Sequence, residues 1–193
     1  MSALTTSTSA RLRQCPRWGR EQSLSSGVSA AGTGTATAAI LQAAEYTIQT
    51  DQGDITLTAN QNVELDSISS TSGTVIVTAD ADSTGTGSIS DTLASESANI
   101  TASAVALRAA EGIGLADDID TSVATISATN STSGSIQVDN AAGSDLTIAT
   151  VNGLAGIMNG GGAILVNNLN GTLTVDDAVA TVAGTGGALS LSG

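Results

Sequence analysis

Three carboxylates crowd into four consecutive positions of this chain: Asp117, Asp118 and Asp120. They form the densest group of chemically useful side chains in 193 residues that contain no His and no Lys. General acid–base work would therefore fall to carboxylates. Three chemistries suit such a group. It can be a solvated acidic turn, a loose calcium site built from hard oxygen ligands, or a carboxylate pair that cleaves a glycosidic bond. The solvated turn is the plainest expectation, so no residue receives a catalytic, cofactor-binding or metal-ligating assignment. The chain is expected not to be an enzyme, and loose calcium binding is the one cofactor chemistry left open.

Other candidates are weaker. Asp80 with Asp82, and Asp176 with Asp177, are acid pairs that read equally well as solvated turns. The tandem Gly-rich nonapeptide of calcium-binding β-rolls is absent, and Gly112 to Asp117 supplies at most half of one copy. Asn99, Asn130 and Asn170 each open an Asn-x-Ser/Thr triplet, a pattern that chance produces often in a Thr-rich chain. Cys15 is the single cysteine. It excludes an internal disulfide framework, and zinc lacks the His partners it would need.

Charge narrows the partners. All 18 acidic residues lie at or after Glu21, while four of the five basic ones (Arg11, Arg13, Arg17 and Arg20) precede it. From Glu21 onward only Arg108 opposes the acids. Such a surface repels nucleic acid and anionic membrane, and no apolar run is long enough to span a bilayer as a helix. Expected partners are instead a host or environmental surface, glycans or other cells.

Residues 1–26 stand apart. They hold the only Cys, Pro and Trp and nearly all the positive charge. Their Ser/Thr/Arg-rich character has the broad look of a transit peptide, without the apolar stretch of a secretory signal. The expectation is a disordered or spurious lead-in, irregular and separate from a folded unit over residues 27–193.

The elements that would position the carboxylates are strands. With 22 Gly, no Phe, one Trp and one Tyr, the apolar 40% rests on Ala, Val, Ile and Leu. Small and β-branched side chains suit a thin, regular core. A short unit recurs in which Gly precedes two apolar residues separated by one spacer: GDITL at Gly53–Leu57, GTVIV at Gly73–Val77, GSIQV at Gly134–Val138, GAILV at Gly162–Val166, GTLTV at Gly171–Val175 and GALSL at Gly187–Leu191. SAVAL at Ser103–Leu107 and SDLTI at Ser144–Ile148 replace the Gly with Ser. Period-two alternation predicts Ile55, Leu57, Val75, Val77, Ile136, Val138, Leu146 and Ile148 inward, with Thr56, Gln137 and Thr147 outward. Ile76 and Leu165 break the outward-polar rule and mark places where something packs outside.

The stretch STSGTVIVTADA at Ser70–Ala81 nearly recurs as STSGSIQVDNAA at Ser131–Ala142, sixty-one positions later. Gly53 and Gly73 lie 20 apart. A coil of about twenty residues is the expected repeat of a β-solenoid, each strand pairing with its equivalent one coil away. On that reading the two copies occupy equivalent places in stacked coils. The fold expectation is all-β, a parallel β-solenoid of about seven coils, with a β-sandwich as the alternative. Gly112 and Gly114 argue against a helix over the acidic segment.

Leu107 to Ala141, with its Gly-Ile-Gly, Ile-Asp-Thr and Ser-Gly-x-Ile-x-Val cadence, resembles the β-strand repeats of large bacterial surface proteins of the filamentous-haemagglutinin-like type. The flanking GDITLTANQNVEL and SSTSGTVIVTADAD share the style, so the resemblance covers roughly residues 44–193. It implies a right-handed parallel β-helix, export to the cell surface, and adhesion or biofilm roles. The expected function is a structural, adhesive segment of a secreted β-solenoid, a fragment of a longer repeat array. A second expectation is a binding module for polysaccharide or ice on outward Thr such as Thr56, Thr58 and Thr174. Carbohydrate cleavage by Asp117 with Asp118 or Asp120 is a distant third.

Overall fold

The computed structural model describes residues 12–13, 21–24, 32–36, 38–42, 47–141, 143, 145–182 and 187–193, with side chains from residue 38 onward. The rest of residues 1–26, Cys15 and Trp18 included, lies outside the described residues. The described residues form 21 strands and no helix. The strands lie in three sheets of five, seven and nine. Every pairing between strands is parallel except the antiparallel contact of Leu12–Arg13 with Glu21–Leu24. Parallel pairing of consecutive chain passes is a solenoid, and a sandwich of antiparallel layers is excluded.

Register shows how the coils stack. Ile55, Val75, Val105, Ile126, Ile148 and Val175 are successive partners in one column. Leu57, Val77, Leu107, Ala128, Ile157 and Val179 form a second column on the same sheet. Gly32 precedes Ile55 and Gly34 precedes Leu57 in register, so seven stacked strands enclose about six turns, where about seven coils were expected, and span roughly 29 Å at the usual ~4.8 Å between strands. All eight residues expected to point inward are buried, none above 2% exposure. Aliphatic side chains lie on aliphatic ones, and among the described residues these columns hold no aromatic.

Two expectations about the repeat are corrected. Neighbours in the first column are 20 to 30 residues apart, because several coils carry excursions between their strands. The duplicated phrase also does not mark equivalent positions. Ser70 ends a strand of the seven-stranded sheet and Thr74–Thr78 belongs to the nine-stranded one. Ser131 follows Thr125–Asn130 of the nine-stranded sheet, and Ile136–Asn140 lies in the seven-stranded one. Each copy therefore rounds a corner, but not the same one: the first leads from the seven-stranded sheet to the nine-stranded, the second from the nine-stranded to the seven-stranded. What recurs is corner chemistry: a tight polar turn followed by an alternating strand.

Corners and insertions use buried polar groups. The Asn140 amide accepts from the Val123 N–H and the Thr121 hydroxyl and donates to the Val123 carbonyl and to Asn168 one coil on. Asn130 and Asn159 stack in the same way at another corner. Ala106 and Ser127 face outward yet are fully buried, because the Thr150–Gly156 excursion returns over the nine-stranded sheet. Its Val151 carbonyl accepts from the Ser127 hydroxyl and its Asn152 carbonyl from Arg108.

Candidate functional site

The acidic segment lies where a long sheet face is interrupted on two consecutive coils. Strand Ile136–Asn140 runs straight through: its Ile136 pairs with Ile113 and its Val138 with Ile119. One coil earlier, residues 114–118 leave the face between those two partners. One coil before that, residues 92–99 leave it between Ile89–Asp91 and Ile100–Thr101. The two excursions stack, and both carry acids.

Asp120 is the centre of the group. Ile119 and Thr121 on either side are fully buried inward, so alternation sends the Asp120 side chain to the outer face. It is nevertheless only 5% exposed. One carboxylate oxygen from each of Glu96, Asp118 and Asp120 lies within 4.8 Å of the others. Asp139 is the in-register partner of Asp120 on the next coil.

Asn99 holds the frame. Fully buried, it accepts from the Asp120 backbone N–H at 2.9 Å and donates to the Asp66 carbonyl at 3.1 Å and to the Asp91 carboxylate at 2.6 Å. One side chain thereby ties together three consecutive coils. Asp91 also accepts from the Leu93 N–H, which turns the chain into the excursion that carries Glu96.

Crowded charge moves the carboxyl groups upward. Burial, then the charges of Asp118, Glu96, Asp91 and Asp139, push Asp120 up to about 6. Burial and the charges of Asp139, Asp117, Glu96 and Asp91 raise Asp118. Asp91 is raised by burial and by Asp117 and Asp66, against the lowering effect of its bonds from Leu93 and Asn99. Behind Asp91, one oxygen of Asp66 is buried with no hydrogen-bond partner among the described residues.

Of the expected trio, Asp118 and Asp120 converge while Asp117 takes no part in the close group. Glu96, Asp91 and Asn99 were not visible as members. The missing signal was the coil length: Ile89 and Ile113 pair across 24 residues, the same interval that separates Glu96 from Asp120. In each of the other acid pairs at least one member accepts a hydrogen bond. Asp80 accepts from the Thr84 and Gly85 N–H groups, and Asp177 from the Thr150 hydroxyl. The Asn99 and Asn130 triplets are buried side chains serving corners and coil contacts, whereas Asn170 is exposed.

The outer faces are less uniform than an array of Thr. Thr56 is followed in register by Ile76 and Ala106, and Thr58 by Thr78 and then Arg108. Thr174, Thr147 and Thr125 do stack over three coils. On the seven-stranded sheet a cleft runs along two outward columns, Gln137–Leu165–Ser190 and Asp139–Asn167–Ser192. Among the described residues no helix is long and apolar enough to cross a membrane. Comparison with protein-family models, with curated proteins and with solved structures returns no match.

Proposed function

We propose that this chain is a structural and adhesive repeat segment of a secreted bacterial surface protein. It would present an elongated, acidic, hydroxyl-rich rod to surfaces, glycans or other cells. The in-register columns carry the proposal, because a coil that contacts only its neighbours lets reach grow by adding coils. The acidic, Ser/Thr-rich outer surface supports a role in weak, repeated contact. Single contacts would be feeble and display of many copies would make them hold. Beads coated densely with the purified chain are expected to adhere to cell monolayers or glycan-coated plates, while the free chain binds weakly. Beads that attach no better than beads bearing an unrelated acidic protein would contradict the proposal.

A polysaccharide-binding face is the second reading. The cleft along Gln137, Leu165, Asn167 and Ser190 favours it, since it sets an apolar patch among amide and hydroxyl groups. A glycan array separates the two readings. Retention of one sugar class that is lost in Asn167→Ala favours the face, and broad adhesion unaffected by that change favours the rod.

A further inference from the structure

We infer that Glu96, Asp118 and Asp120 bind a calcium ion that clamps the excursion of residues 92–99 to the following coil. Geometry supplies the first argument. Their carboxylate oxygens lie within 4.8 Å of one another. Three oxygens with that spacing lie no more than about 2.8 Å from a common point, so a shift of a few tenths of an ångström by the exposed Glu96 brings all three to the Ca–O distance of about 2.3–2.6 Å. Magnesium, with bonds of about 2.0–2.1 Å and a strict octahedron, needs a tighter set. The ligands are all hard oxygens and the chain has no His, which disfavours zinc and other transition metals.

The second argument is the state of Asp120. It is only 5% exposed, aims its carboxylate into the group, and receives no hydrogen bond to that carboxylate among the described residues. A buried carboxylate without a donor or a counter-charge is costly. Asp54 and Asp145, by contrast, have backbone donors: Asp54 accepts from the Thr74 N–H and Asp145 from the Thr172 N–H. The charged groups beside Asp120 are all acids: Glu96, Asp118 and, in register on the next coil, Asp139. Arg108, the one basic residue whose side chain is described, reaches Asn152 over a different sheet. A divalent cation supplies the missing charge. Glu96 is exposed, so the remaining coordination positions open to water.

The functional consequence is mechanical. Glu96 sits on one excursion, and Asp118 with Asp120 on the next coil, so the ion would join two coils at the place where the sheet face is interrupted. Calcium would stiffen the stack there without altering the aliphatic core.

Isothermal titration of the chelator-treated full chain with calcium chloride, in physiological salt with excess magnesium, tests this. Saturable uptake and a higher Tm are expected. Glu96→Gln and Asp118→Asn should each weaken that uptake at least about tenfold, while Asp82→Asn leaves it unchanged. Glu96→Gln alters an exposed side chain, so it keeps the test decisive if a buried variant fails to fold. Absence of saturable calcium uptake would overturn the inference. So would equal affinity for magnesium, or uptake in Glu96→Gln indistinguishable from wild type.

Discussion

Asp120 is the residue at which this fold carries an uncompensated burden. Its folded-state pKa is about 6, raised from 3.8 first by burial and then by Asp118, Glu96, Asp91 and Asp139. Between those values the folded state holds a proton that the unfolded chain has released. The sign follows: stability of the metal-free protein falls as pH rises from about 4 to about 6 and stays low above that. Thermal melts in chelator across that window check it, and a Tm that rises with pH there would contradict it. In chelator at pH 7, Asp120→Asn should raise Tm by a few degrees, because a neutral amide removes the repulsion. The buried Asn residues behave oppositely. Asn140→Ala strands the Val123 N–H and carbonyl, and is expected to cost about 2–4 kcal/mol in denaturant unfolding. These roles were hard to read in advance, since Asn in a Gly- and Thr-rich stretch looks like turn chemistry in water.

At the scale of the element, alternation was legible and the coil period was not. Ile55, Leu57, Val75 and Val77 read directly as an inward face, because a strand has only two sides. The period was concealed by excursions of differing length at residues 92–99, 114–118 and 150–156. One sequence signature also serves two different sheets, so GTVIV and GSIQV look equivalent and are not. Corners impose their own demands. Gly134 has φ +83°, and a Cβ there would collide with the Glu111 backbone of the coil below, whereas Gly153 at φ +73° faces open space. Gly134→Ala should therefore cost several kcal/mol and Gly153→Ala only about 1 kcal/mol. Equal losses in a denaturant series would mean that close coil contact is not what selects Gly134.

For the whole molecule, composition and architecture agree. A core without Phe works because stacked Ile, Val, Leu and Ala fill a narrow tube, aliphatic on aliphatic down each column. The same stacking concentrates outward acids from successive coils into one place, which is how Glu96 meets Asp118 and Asp120 across the interval between coils. Solenoid architecture and inward pattern were thus open to sequence reasoning, whereas the acidic site depended on a register that only the folded chain discloses. That register is the central claim, and methyl and backbone NOE spectroscopy on Ile-, Leu- and Val-labelled protein measures it most directly. Cross-coil contacts should run from Ile55 to Val75, Val105, Ile126 and Ile148 in order, with the amide–Hα pattern of parallel strands. Strong Hα–Hα contacts between Ile55–Ala59 and Thr74–Thr78, as an antiparallel hairpin would give, would contradict it.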